Sequence, residues 1–477
     1  MTRTTKKTGK KPEARSSSKV VSVKAKKPFT NYRQAIAYLF EKTDYEKEEH
    51  VRYNVTTFSL DRMRNLLSLL GDPHAKISTV HIAGTKGKGS TATMLAKMLE
   101  SNGYTVGLYT SPHLVHLHER IVVNSEMISE AEMLGLMNRI YAPVEKLSDD
   151  PPTFFEIFTA LAFMYFADRK VDIAVIETGL GGRLDSTNVI TPKVVGITSL
   201  SIDHKLQLGD TLDRIAMEKA GVFKKGVPTI TVQQEPIAMS VLKEQAIAVK
   251  APLSVTGSSD IDFSYRFETS REHGPHTRIC LTTATSKFEH IRVPLHGKHQ
   301  AINCGLALAL LDRLKSSGYN IDIDKAADGL HGVTLAGRME MICEDPRIMI
   351  DGAHNAASVR ALIHAIGQNI PYDSMVVIFG CNADKDIPGM LTELQYGADK
   401  VIFTRSSSMK AVSPQDLADM YTDICGKMCQ TASSLGEALQ LARSAVGRED
   451  LILITGSFYL IGQAKIRFQP SVTLAAS

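Results

Sequence analysis

The sequence predicts an α/β protein: a doubly wound N-terminal domain built around a phosphate-binding loop (P-loop), then a smaller α/β domain. Three observations carry this expectation. Short apolar strands alternate with helical stretches along both halves of the 477-residue chain, the pattern of a mostly parallel sheet covered by helices. A strand, a glycine-rich turn and a helix follow one another at residues 77–83, in GTKGKGS and in the stretch with Leu95, Met98 and Leu99. The alternation then resets around residues 332–337, and the length exceeds what one core supports.

Taken in order, residues 30–72 read as helical, from Tyr38, Leu39 and Phe40 and the stripe Leu60, Met63, Leu66, Leu67 and Leu70. Strand 77–83 enters the glycine turn, and Gly103 after Asn102 suits a helix end. A strand is expected at 106–109, a helix at 153–168, and nearly continuous apolar strands at 171–176 and 194–200, as for strands buried on both faces. Residues 255–295 hold short β-rich runs (SYRFE, RICLTTA, HIRVPL) that suggest a small antiparallel patch, and a helix follows at 299–314. Beyond the boundary, strands at 347–350, 375–379, 400–404 and 451–455 alternate with helices at 356–367, 414–424 and 434–446. The implied division is a tail at 1–28, a first domain at 29–333 and a second at 337–477.

Composition narrows the function classes. Hydrophobic residues make up 43% and charged residues 22%, a soluble globular profile, and no run of about 18 apolar residues suggests a membrane span. The net charge of +4 hides an asymmetry, because residues 1–28 carry ten Lys or Arg against Glu13 alone. The tail's +9 leaves the body at −5, which gives no case for nucleic acid. The tail itself is expected to be disordered; it is Lys-rich rather than Arg-rich, unlike a transit peptide. Of six cysteines, only Cys425 and Cys429 are close, with no second His/Cys pair beside them, so reduced thiols are expected rather than zinc. These features suit a cytoplasmic monomer acting on small molecules.

Gly84, Thr85, Lys86, Gly87, Lys88, Gly89 and Ser90 lie between strand and helix. Glycines let backbone N–H groups converge on phosphate oxygens, and a helix N-terminus adds favourable partial charge. Lys88 supplies a positive charge and Ser90 a hydroxyl for phosphate-bound Mg²⁺, although the run departs from the usual G-x-x-x-x-G-K-[ST] spacing. Glu177 closes the apolar run VDIAVI, and Asp203-His204 follows the next strand. Strand carboxyl ends are where ligands gather in open α/β sheets, and a carboxylate there suits Mg²⁺. Lys219, in AMEKAGVF, reads from the residues alone as a lysine reaching solvent.

HIAGTKGKGS, LYTSPHL, ETGLGGRLDSTNVI, SIDH, EKAGVF, GKHQAIN, GRME, IDGAHN and ITGSFYLIG occur in this order between about residues 30 and 465. Together they closely resemble the dihydrofolate synthase/folylpolyglutamate synthase family, a branch of the Mur-ligase-like ATP-dependent ligases. The resemblance implies an ATP-binding N-terminal domain, a Rossmann-like C-terminal domain and catalysis between them. It implies Lys88, Lys219 and His204 as catalytic residues and Ser90, Ser111, Glu177 and His204 as Mg²⁺ ligands. Asn303, Arg338, Asp351 and His354 join the loop as nucleotide contacts, and Gly181, Gly182, Arg183, Leu184 and Asp185 fall in a pterin-side loop. Lys219 matches a lysine that the family carries as a carbamate. Lys86 stands where Asn is common, and Ala-Ala-Ser follows IDGAHN in place of the frequent Pro.

The implied reaction adds L-glutamate to dihydropteroate or to the glutamate tail of folates, with ATP converting the acceptor carboxylate to an acyl phosphate. One alternative is a Mur-type ligase acting on another carboxylate, against which TSPHL and GLGGRLDSTN argue. The other is an inactive nucleotide-binding module, disfavoured because every matched catalytic position from Lys88 to His354 is filled.

Overall fold

The computed structural model describes residues 1–2, 28–44, 54, 57–270 and 274–468. The reading of 1–28 as a disordered tail therefore falls almost wholly outside the described residues. Among the described residues, the single helical stretch expected at 30–72 is corrected to two helices, α1 (Tyr32–Phe40) and α2 (Leu60–Leu69). Each has its own start, where the Asn31 and Ser59 side chains accept from the N–H groups of Gln34 and Arg62. Such caps contribute about 0.5–2 kcal/mol each.

The first sheet then builds up through β1 (Thr79–Ala83), α3 (Lys88–Ser101), β2 (Val106–Tyr109), β3 (Ile121–Val123) and β4 (Glu126–Met127). It continues with α4 (Glu130–Glu145), α5 (Phe154–Asp168), β5 (Ile173–Glu177), β6 (Val194–Ile197), α6 (Lys205–Leu208) and α7 (Leu212–Ala220). β7 (Thr229–Thr231), α8 (Pro236–Val249) and β8 (Leu253–Val255) complete it. The strand order is β4-β3-β2-β5-β1-β6-β7-β8. All neighbours from β2 to β8 pair in parallel, and β3 and β4 form an antiparallel edge.

Burial explains why these segments become strands and helices. Every residue of β1 and β5 is buried, as a central parallel strand requires. One face carries Val80 and Ile82 against Leu95 and Leu99 of α3; the other carries Ile176 against Phe158 and Phe163 of α5. Fully burying each such side chain contributes about 1.5–3 kcal/mol. α4 escaped the sequence reading, yet its start is a capping box in which Ser129 and Glu132 satisfy each other's backbone N–H.

The expected antiparallel patch is a three-stranded sheet, β9 (Asp262–Ser270), β10 (Gly274–Thr282) and β11 (Lys287–Val293), in the order β11-β10-β9. Two helices, α9 (Lys298–Ser316) and α10 (Ile323–His331), lead from it to the C-terminal sheet. That sheet comprises β12 (Glu340–Glu344), β13 (Arg347–Ile350), α11 (Ala356–Asn369), β14 (Met375–Phe379), α12 (Ile387–Leu394) and β15 (Lys400–Phe403). α13 (Pro414–Cys425), β16 (Gln430–Thr431), α14 (Leu435–Ala445), β17 (Leu451–Thr455) and α15 (Phe458–Phe468) follow. Its order is β12-β13-β17-β14-β15-β16, parallel except for β12. The protein is thus a two-domain α/β fold.

The two domains meet through a close backbone approach. A Cβ on Gly462 of α15 would lie 2.4 Å from the carbonyl oxygen of Leu114. The Leu114 side chain packs against the C-terminal core that contains Ile461. The Leu114 loop is itself rigid, because Glu119 accepts from the N–H groups of Leu114, Val115 and His116 at 2.7–2.8 Å. Between the sheets lies a cleft of about 1840 Å³.

Candidate active site

β1, β5 and β6 all release their chains at one edge of the cleft. The glycine loop leaves β1 through two left-handed glycines, Gly84 at φ 144° and Gly87 at φ 87°, conformations that side chains resist. Space forbids side chains as well: a Cβ would lie 1.9 Å from Thr198 Oγ1 at Gly84 and 2.1 Å from Asn303 Oδ1 at Gly87. The N–H groups of Thr85 and Lys86 both donate to Ser199 O at 3.1 Å. These two residues therefore tie the loop to the β6 connection. The first turn of α3 leaves the N–H groups of Lys88, Gly89 and Ser90 without carbonyls inside the helix, and these converge where a phosphate would sit.

Glu177, the last residue of β5, is 3% exposed. One oxygen accepts from Ser111 N at 3.0 Å and the other lies 3.9 Å from Lys88 Nζ. Burial pushes its carboxyl up, opposed first by Lys88. A carboxylate has about four lone-pair sites, so these partners leave acceptor capacity facing the loop. Together with the cleft-lining hydroxyls of Ser90 and Ser111, it is a hard-oxygen donor set of the kind Mg²⁺ takes.

His204 caps α6 in a left-handed conformation at φ 49°. Burial draws its pKa down to about 4, with Lys385, Lys219 and Lys88 adding to the shift and Asp203 opposing it. Burial pushes Asp203 up, but His204, His354 and Lys385 together draw it below the usual carboxylate range. Asp203 thus faces the Lys385 ammonium of the second domain. Lys219 does not reach solvent as its residue type alone suggests: it is 4% exposed, and its Nζ donates to Gly84 O at 2.7 Å. Burial, then Lys88, lowers its pKa to about 7. A small cavity of about 20 Å³ borders Lys219, His204, Asp203 and Gly181.

From the second domain, Asp351 follows β13 and accepts from the N–H groups of Met339 and Ala353 at 2.9 and 2.8 Å. Burial raises its pKa, opposed first by Arg338. His354 Nδ1 lies 2.8 Å from Gly352 O, so Nδ1 carries the proton and Nε2 is the acceptor. The Phe458 ring sits 5.0 Å from the Arg338 guanidinium and 5.8 Å from the His354 ring.

Residues 82–311 match the Mur ligase middle domain, and residues 337–458 match the Mur ligase glutamate ligase domain. The chain is 35% identical to the dihydrofolate synthase/folylpolyglutamate synthase of Bacillus subtilis over 86% of its own length and 95% of that protein. This chain belongs to the dihydrofolate synthase/folylpolyglutamate synthase family. It is an ATP-dependent acid–amino-acid ligase. Among solved structures, Mycobacterium tuberculosis folylpolyglutamate synthase complexed with ADP superposes with a TM-score of 0.83 at 32% identity, covering 92% of this chain and 98% of that one. The Escherichia coli protein in complex with DHPP and ADP reaches 0.79 at 25% identity, covering 93% and 99%.

In this family member Lys88, Ser90, Ser111, Glu177, His204, Asn303, Arg338, Asp351 and His354 all line the one cleft. Within residues 181–185, Leu184 and Asp185 line it, whereas Gly182 and Arg183 turn to α7. A Cβ on Gly182 would lie 2.9 Å from Glu218 O, and Arg183 pairs with the Glu218 carboxylate at 2.8 Å. The histidines at 113, 116 and 118 form no metal cluster among the described residues. Sequence reasoning missed the aromatic wall of Phe40, Phe58, Phe154 and Phe155, and the cleft-lining Lys385 and Phe458. Phe40 and Phe154 stack at 5.8 Å, although α1 and α5 are far apart in sequence. The FFE run at the start of α5 was the available signal.

Proposed function

We propose that this ligase joins the amino group of L-glutamate to the carboxylate of dihydropteroate, and to the glutamate tail of folates, through an acyl phosphate. The observation that carries the reading is one cleft with a phosphate-cradling helix start and a buried carboxylate on one wall and Asp351 and His354 on the other. The acceptor carboxylate attacks the γ-phosphorus, the bond to ADP breaks, and the glutamate nitrogen then displaces phosphate from the acyl carbon, releasing a proton.

The N–H groups at the start of α3 and the Lys88 ammonium hold the phosphates. Asn303, Arg338, Asp351 and His354 hold the nucleotide from the two sides of the cleft. Glu177, with Ser90, Ser111 and neutral His204, holds Mg²⁺, which neutralises phosphate charge when bound. The stacked phenylalanines suit a flat heteroaromatic ring, with Leu184 and Asp185 on the same wall system. Lys219 acts as a carbamate: its neutral amine adds to CO₂, an N–C bond forms and a proton leaves to solvent. The resulting anion lies beside the Lys88 ammonium. We assign the domains as 29–333 and 337–477, and the enzyme as a cytoplasmic monomer. Among the described residues no helix is long and apolar enough to cross a membrane, and all six cysteines are free thiols.

The test is phosphate release over a panel of pterin acceptors, with and without glutamate. Glutamate-dependent release with dihydropteroate or folate supports the reading. Release that ignores the pterin, or that needs another carboxylate, refutes it.

A further inference from the structure

We infer that His81, on the central strand β1, is a positioning residue for the pterin-side loop: it orients the Thr187 hydroxyl, which holds the Asp185 carboxylate at the cleft wall. The inference rests on the proposed reading of residues 180–188 as that loop.

His81 is fully buried, and its strand neighbours Val80 and Ile82 face the opposite side of the sheet in the core with α3. Its Nε2 lies 2.8 Å from Thr187 Oγ1. The Thr187 hydroxyl donates its single proton to Asp185 Oδ1, so its oxygen accepts from His81 and the imidazole proton sits on Nε2. Asp185 also accepts from Thr187 N at 3.0 Å and from Leu180 N at 2.8 Å. Its carboxylate thereby ties the two arms of the loop together while lining the cleft with Leu184.

The unoccupied nitrogen argues that the histidine serves this donor role. Nδ1 is buried with no hydrogen-bond partner, a desolvation penalty that a leucine of similar size would not carry. Burial, then Lys224, lowers the imidazole pKa to about 3, so the ring stays neutral and the Nε2 proton is its one available donor. Remove that donor, and the Thr187 oxygen loses the partner that fixes its position, which loosens its bond to Asp185.

Steady-state kinetics on five variants of the full chain test this. His81→Leu raises KM for dihydropteroate about tenfold, the scale of one hydrogen bond to a charged network, and leaves KM for ATP unchanged. His81→Gln, whose amide nitrogen reaches the same oxygen, restores the pterin KM. Thr187→Val reproduces the leucine variant, and the double variant is no worse than either single one. If His81→Leu does not fold, His81→Met, which likewise has no N–H to donate, takes its place. Equal shifts in both KM values, or none in the pterin KM while Asp185→Asn does raise it, overturn the role of His81 and leave the loop reading intact. An unchanged pterin KM in Asp185→Asn overturns the loop reading, and the inference with it.

Discussion

Lys219 Nζ donates to the carbonyl oxygen of Gly84 at 2.7 Å. A helix in the 212–220 segment is thereby bonded to the first residue of the glycine loop, and a lysine is held where only a neutral amine or an anion is comfortable. Two like charges about 4 Å apart repel by roughly 1–4 kcal/mol depending on the dielectric, and Lys88 is the cation that adds to the lowering of its pKa.

The first prediction follows from that arrangement. Lys219→Ala is nearly inactive and is partly rescued by a small carboxylic acid that fills the vacated space. Lys219→Arg is inactive, because guanidinium stays charged and cannot take up CO₂. Turnover measured with and without added short-chain acid checks this; a fully active arginine variant contradicts it.

The same lysine predicts a stability effect opposite in sign to its effect on activity. Its folded pKa, about 7, lies below the ordinary 10.5, so between those values the unfolded chain holds a proton that the folded chain does not. Stability therefore rises with pH through that window, and below about 7 the penalty of charging the buried amine is fully present. In CO₂-free buffer, Lys219→Met unfolds at higher urea than the parent at pH 7, and the gap narrows as pH approaches 10. A gap that is constant with pH, or reversed, contradicts the assignment.

Glu177→Gln keeps the shape of the β5 end and the bond from Ser111 N, but removes the charge. Losing even an outer-shell partner costs about 10–100-fold in metal affinity. The Mg²⁺ concentration for half-maximal turnover accordingly rises at least tenfold, with the urea midpoint little changed. Parental turnover at limiting Mg²⁺ would remove Glu177 from the metal site.

Gly462→Ala places a methyl group 2.4 Å from Leu114 O, a backbone atom that cannot yield without moving the loop that also carries Ser111. Turnover falls by at least tenfold, while the far-ultraviolet spectrum of each domain is preserved. Leu114→Ala relieves no clash and loses only packing, so the double variant remains impaired. Parental activity in Gly462→Ala shows that the domain contact does not set the site.

The sequence made the local devices legible and left the assembled ones hidden. The glycine loop, Glu177 and His204 could be read because each sits at a strand end, where chain direction alone fixes exposure to ligand. The helix limits at Phe40 and Ser59 could not, because an apolar stripe does not show where the chain breaks. Lys219 was misread from its residue type, since burial by α7 against the loop is a tertiary fact. The aromatic wall depends on α1 meeting α5, and the Leu114–Gly462 contact on one domain meeting the other. Neither leaves a local period in the sequence.

The most direct test of the central claim is the fate of the acceptor's own oxygen. Dihydropteroate labelled with heavy oxygen in its carboxylate is incubated with ATP, Mg²⁺, glutamate and enzyme, and the products are weighed by mass spectrometry. The account predicts ADP, a glutamylated product, and phosphate carrying one heavy oxygen from the pterin. Unlabelled phosphate, or AMP with pyrophosphate, contradicts it.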